Sequence, residues 1–322
     1  MTNNNYVASM FPLLPGKNLN TQELSMFTGL SAFPLTPFSD GKPDEKGFLR
    51  LLRRLTDARV DSVCALGSTG SYAYMTREQR RRIAELTTAN AGDIPVMICI
   101  GAVSTEEVLR LADDAQQAGA RGLLLPPVSY QALREEEVFG LFETVSRNVS
   151  VPVCVYDNPG TTHFQFTDEL HRKIAALPAV ASVKIPGVPV DEIEAMDRVR
   201  QLRNGLQDGV TVGISGDVFA ANGLIAGCEV WYSVFGGLFP RMAKAMTDAA
   251  VAGDFDSIRV QNSYLEPFWA LYRKHGGSFR VAAAVAGIMG LTDADCLPRP
   301  LLPLSEGDRS EVARVLSTLD LE

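Results

Sequence analysis

An alternation of short apolar runs with longer amphipathic segments, repeated eight times, constrains this chain more than any other feature. The runs cover residues 29–34, 62–66, 96–100, 122–125, 151–156, 180–185, 210–214 and 229–234. Continuous apolar runs of this length suit strands buried on both faces, as in a parallel sheet. Between them the apolar residues recur at helical spacing, as at Phe48, Leu51, Leu52 and Leu55 within 44–59. Thr76 with Gln79 and Ser104 with Glu107 have the spacing of a capping box, and Thr167 offers the cap without the box. Helical patterns over 134–147, 189–203, 217–226 and 240–251 complete the set. Eight strand–helix units in about 225 residues predict an α/β chain closed into a (β/α)8 TIM barrel, rather than an open doubly wound sheet.

After residue 251 the alternation stops, and three helical stretches follow near 254–274, 278–289 and 306–319. They predict a helical appendage docked on the barrel, with 291–303 and its Pro298, Pro300 and Pro303 as a linker. The expected organisation is an N-terminal tail (1–26), a catalytic barrel (27–251) and a C-terminal helical extension (252–322). The first 25 residues show neither the charged start nor the long apolar core of a signal peptide, and no run is long enough to span a membrane. The expectation is a cytoplasmic protein with no membrane partner.

Composition excludes several function classes. With 46% hydrophobic and 21% charged residues the chain can bury a large core. A net charge of −8 without a basic run argues against nucleic acid as a partner. An anionic substrate would then need a locally positive site. The five cysteines form no C-x-x-C pair, and Cys64, Cys99 and Cys154 lie inside apolar runs, as buried reduced thiols do. The three histidines have no zinc-binding spacing, so no metal site is expected.

Barrel active sites lie at the C-terminal ends of the strands, which makes strand ends the place to look. Of the seven lysines, six fall in polar stretches and one, Lys184, ends an apolar run. Desolvation favours the neutral amine, which attacks carbonyls, so Lys184 is a candidate nucleophile. Its position alone equally allows a lysine paired with a buried carboxylate. Tyr156, at the end of the preceding run, can shuttle protons beside it or simply pack there. The turn Gly67-Ser68-Thr69-Gly70-Ser71 offers backbone N–H groups and two hydroxyls to a carboxylate, or is an ordinary strand-to-helix turn.

These residues give the chain a family resemblance. Gly67-Ser68-Thr69-Gly70 after the second strand, Tyr156-Asp157-Asn158-Pro159 after the fifth and Val183-Lys184 on the sixth match one motif set. The tyrosine and lysine are 28 residues apart, and Ser215-Gly216-Asp217 is a weaker fourth match. From about Phe27 to Met289 the chain resembles the dihydrodipicolinate synthase/N-acetylneuraminate lyase family of pyruvate-dependent class I aldolases. The resemblance implies Lys184 as the Schiff-base lysine and Tyr156 as proton shuttle. It implies Gly67, Ser68 and Thr69 as the keto-acid carboxylate site, with Thr69 also in the relay. Gly216 and Trp231 would lie near the keto-acid pocket. It further implies a homo-oligomer (a tetramer of paired dimers, or a dimer) and no metal or organic cofactor.

The chain also departs from the family pattern. Ser71 stands where the family usually has glutamate. Thr161 stands at about the position of the arginine with which dihydrodipicolinate synthases hold the aldehyde's carboxylate. Ser129, with Tyr130 beside it, replaces a tyrosine that relays across the dimer contact. A threonine cannot hold a carboxylate bidentately. The expected activity is carbon–carbon bond formation or cleavage on pyruvate or another small 2-keto acid, with an aldehyde partner. The alternatives are dehydration of a 2-keto-3-deoxy sugar acid, dihydrodipicolinate synthesis itself, and a non-enzymatic keto-acid-binding barrel. Thr161, Gly216, Trp231, Ser129 and Tyr130 are the further candidate pocket residues.

Overall fold

The computed structural model describes residues 26–321. Each apolar run becomes a strand whose burial is nearly complete on both faces. In chain order the barrel strands are β1 (Gly29–Ala32), β4 (Ser62–Ala65), β5 (Val96–Cys99), β6 (Gly122–Leu125), β7 (Val153–Tyr156), β8 (Val180–Ile185), β9 (Thr211–Ile214) and β10 (Val230–Ser233). They close into one parallel barrel, with β1 bonded to both β4 and β10. A small antiparallel ribbon, β2 (Phe38–Ser39) with β3 (Lys42–Pro43), was not anticipated. Asp40 and Gly41 both take positive φ there, which a tight hairpin turn requires.

Helices α1 to α4 (Glu45–Asp57, Arg77–Asn90, Thr105–Gln117 and Glu135–Asn148) follow β3 to β6. After β7 come a one-turn helix, α5 (Pro159–Thr162), and α6 (Asp168–Ala175). Helices α7 (Glu192–Asn204), α8 (Ala220–Ile225) and α9 (Pro240–Ala252) follow β8, β9 and β10. The Thr76–Gln79 capping box forms on both sides. At Ser104 only half forms, because the Glu107 carboxylate turns to Arg110. Thr167 caps α6 through the Leu170 amide, as expected.

The expected helix over 254–274 is two helices, α10 (Phe255–Tyr264) and α11 (Glu266–Lys274). Pro267 sits in the first turn of α11, where its missing N–H does no harm, and the break falls at Leu265. Helices α12 (Ser278–Ile288) and α13 (Glu306–Thr318) complete the chain. The extension grips the barrel through aromatic rings: Phe235, just after β10, lies 5.3 Å from Phe268 and 5.1 Å from Trp269. The tail expected over 1–26 lies outside the described residues except for Met26, which is buried against Gly122 of β6.

Inside the barrel, Tyr232 bonds Ser182 at 2.6 Å and accepts from the Cys154 thiol at 3.3 Å. All five cysteines are buried and free. Burial pushes the Cys99 and Cys154 thiols up to about 11, which leaves them protonated and unreactive at neutral pH.

Candidate active site at the strand ends

The site begins with a one-residue register shift. Val153 of β7 pairs with Val180 of β8, but Cys154 pairs with Ser182, so Ala181 is an extra residue on β8. An unshifted ladder would set Val183 opposite Tyr156, with its side chain on the other face. The shift instead aligns Tyr156 with Lys184.

Lys184 is only 4% exposed, yet it makes no ion pair among the described residues. Its Nζ lies 4.1 Å from the centre of the Tyr156 ring and 5.6 Å from that of Phe33. Such contacts replace part of the lost hydration without a counter-charge. Lys244 shows the other arrangement: its ammonium is held by Asp61 at 3.1 Å and Asp248 at 3.0 Å. The paired-carboxylate alternative is thus realised at Lys244 and not at Lys184.

The Tyr156 hydroxyl is held between two side chains. It shares a 3.0 Å hydrogen bond with Ser68 Oγ and accepts from Asn158 Nδ2 at 3.1 Å. The resemblance assigned the relay to Thr69, but the hydroxyl that reaches Tyr156 is that of Ser68. Thr69 is buried and lines the same cavity. The turn that carries both is tight: Leu66 and Ser71 take φ of 60°, and the Ser71 amide donates to Ser68 O at 3.0 Å. Gly67 does not line the cavity. A Cβ there would lie 2.8 Å from the Phe33 ring, so Gly67 makes room for the ring that faces the ammonium.

After β9, Ser215 donates to Ile185 O at 2.8 Å, and Gly216 turns the chain with φ of 72°. A Cβ on Gly216 would lie 2.9 Å from Pro186 O. Asp217 follows, wholly buried. Its carboxylate accepts from Trp231 Nε1 at 3.0 Å, Ser233 Oγ at 2.9 Å and the Phe235 amide at 3.0 Å. Burial pushes this acid up to about 6, against the pull of those donors and of Lys184.

These residues open into a cavity of about 750 Å³. Ser68, Thr69, Tyr156, Lys184 and Gly216 line it, and so does Thr161, which sits exposed on the rim beside His163. Three expected pocket residues do not. Trp231 is 0% exposed and lies outside the barrel, because strand alternation sends its neighbour Tyr232 inward. Tyr130 is 88% exposed and Ser129 is half-buried away from the cavity. Pro126 and Pro127, which cannot donate to the ladder, directly follow β6. Sequence reading missed Phe33, Tyr72 and Tyr232, and had Asp217 only within the weaker Ser215-Gly216-Asp217 match. It also missed a wall supplied by the C-terminal helices, including Tyr272, His275, Ser278 and Arg280.

The model of the dihydrodipicolinate synthetase family matches residues 26–319. The chain belongs to this family. A 4-hydroxy-tetrahydrodipicolinate synthase of Protochlamydia amoebophila is 28% identical over 297 residues, covering 91% of this chain and 97% of that protein. One from Alcanivorax borkumensis is 29% identical over 283 residues, covering 87% and 94%. Among solved structures, a dihydrodipicolinate synthase from Agrobacterium tumefaciens is 41% identical with a TM-score of 0.88, covering 92% of this chain and all of that one. A monomeric dihydrodipicolinate synthase variant is 25% identical with a TM-score of 0.84, covering 92% and 98%. Family membership makes this protein a lyase of the class I aldolase type on a TIM barrel. No helix among the described residues is long and apolar enough to cross a membrane.

Proposed function

We propose that Lys184 forms a Schiff base with pyruvate or another small 2-keto acid, and that the enzyme then makes or breaks a carbon–carbon bond next to the keto carbon. The observation that carries this reading is a buried lysine in no ion pair, set against a tyrosine whose hydroxyl is hydrogen-bonded to Ser68 and Asn158.

The neutral Lys184 amine adds to the keto carbon. Tyr156 gives a proton to the departing hydroxyl, and water leaves. The resulting iminium draws electrons from the adjacent carbon, which loses a proton and becomes an enamine. The enamine carbon attacks an aldehyde, or the reverse sequence releases one, and hydrolysis frees Lys184. Tyr156 recovers its proton through Ser68 or from the carbon that becomes the enamine, and gives it to the aldehyde oxygen as that oxygen becomes a hydroxyl. Thr69 and Ser68 hold the keto-acid carboxylate through hydroxyls and turn amides. The iminium itself is the electron sink, so the sequence needs neither metal nor organic cofactor.

Thr161 disfavours the aldehyde used by the synthases as the second substrate. Aspartate semialdehyde carries a carboxylate, and the rim position expected to hold it is Thr161, an exposed hydroxyl. Elimination of water from a 2-keto-3-deoxy sugar acid uses the same iminium and is the second reading. The cavity is far larger than pyruvate needs and admits either type of partner. We expect a homo-oligomer, as the resemblance implies. A product assay separates the chemistries: pyruvate with an aldehyde indicates cleavage, and a dehydrated keto acid indicates elimination. Turnover of pyruvate with aspartate semialdehyde at a synthase-like rate would overturn the specificity assigned here.

A further inference from the structure

The cavity wall opposite the carboxylate-binding turn comes from the C-terminal helices, where Tyr272, Arg273, Gly276, Gly277, Ser278 and Arg280 face the same space as Lys184. Around the whole cavity the cationic side chains are Lys184, Arg273 and Arg280, and the one carboxylate is the buried Asp217. In a chain of net charge −8 this is a local reversal of sign. Arg273 is committed to Glu266. Arg280 uses only its Nε, donating to Leu302 O at 3.2 Å, and its two Nη groups have no partner among the described residues.

The backbone adds donors beside it. Helix α12 starts at Ser278 and has no side-chain cap. Gly276 and Gly277 take φ of 68° and 134°, and a Cβ on either would meet nothing within 4 Å, so open space adjoins the first-turn amides. A helix of this length with free leading N–H groups attracts anions. A second, independent feature lies on the same wall. Tyr272 is 3% exposed, and its hydroxyl has no hydrogen-bond partner. A buried hydroxyl without a partner is costly unless a ligand supplies one.

We propose that this wall is a subsite for a carboxylate at the far end of a dicarboxylate substrate, held by Arg280, the first amides of α12 and the Tyr272 hydroxyl. The inference rests on Lys184 holding the keto end of the same molecule. It names the substrate class: a 2-keto acid that carries a second carboxylate at its far end.

The test uses borohydride trapping on Lys184 across matched pairs of 2-keto acids, from 2-ketoglutarate to 2-ketopimelate, each against the monocarboxylate of equal chain length. Pyruvate serves as the control for the wild-type enzyme. At the best chain length the dicarboxylate is expected to half-saturate trapping at a concentration about 10- to 100-fold below its neutral-ended partner. Arg280→Ala should bring that ratio close to one. The proposal is overturned by equal or inverted half-saturation in the wild type, by a preference that survives Arg280→Ala, or by trapping of pyruvate alone. Absence of any pyruvate adduct is a different result, because it removes the Schiff-base reading itself.

Discussion

The two ends of the cavity are built by different physics. At the strand ends, Lys184, Tyr156 and Thr69 are buried and fixed by ladder register and hydrogen bonds. At the rim, Thr161, His163 and Arg280 are exposed and stand on short helices and loops. On the proposed reading the first region carries chemistry that the family shares, and its geometry tolerates little change. The second meets the part of the substrate that differs between relatives, and a rim residue can change without disturbing the barrel. The contrast teaches that membership in this family fixes the keto-acid end and leaves the partner open.

The strongest way to break the comparison is at its buried end. Lys184→Ala should lower turnover by about four orders of magnitude or more while the fold, followed by circular dichroism, is retained. The melting temperature should stay level or rise, since a buried amine without an ion-pair partner is removed. Tyr156→Phe keeps the ring beside Lys184 and removes the hydroxyl. Its kcat should fall by about 10²- to 10⁴-fold, with a much smaller change in KM for the keto acid. An unchanged kcat would assign the proton transfer elsewhere.

Asp217 joins the two regions, because its three donors come from β10 and the segment that meets the C-terminal helices. Asp217→Asn puts an amide donor against existing donors and should cost about 2–4 kcal/mol in denaturant unfolding at pH 4. The acid's folded value of about 6 lies above its ordinary 3.8. The folded state therefore binds this proton more tightly. The group's contribution is fully present below about pH 4 and is lost as pH rises through 6, on the order of 3 kcal/mol. The difference between wild type and variant should shrink over that window, and a difference that grows with pH would contradict the assignment.

The smallest effect is expected at the rim. Thr161→Arg should change stability by less than about 0.5 kcal/mol, because the residue is exposed. It should raise kcat/KM for aldehydes that carry a carboxylate. Parallel gains for neutral aldehydes would show that Thr161 does not read charge.

The same contrast governs what was legible in the sequence. The strands at Gly122–Leu125 and Val180–Ile185 occupy the residues their apolar runs predict, and Lys184 stood out because it ends such a run. Trp231 was misassigned because periodicity shows that neighbours alternate but not which one faces inward. That choice is made by Tyr232, whose hydroxyl bonds Ser182 and Cys154 across the barrel. Tyr130, expected to work across a dimer contact, is exposed on this single chain and lies outside its own cavity. The wall at Tyr272 and Arg280 was invisible because it depends on how helices far along the chain dock against β10. Gly276-Gly277-Ser278 ahead of an apolar helix was the one local signal for it.

The central claim is that Lys184 condenses with a 2-keto acid. Incubation with pyruvate, reduction with borohydride and peptide mass spectrometry test it most directly. The predicted result is a stable pyruvate-derived adduct on the peptide containing Lys184, absent without pyruvate and absent in Lys184→Ala. A protein left unmodified by every 2-keto acid, or modified equally at exposed lysines, would contradict the account.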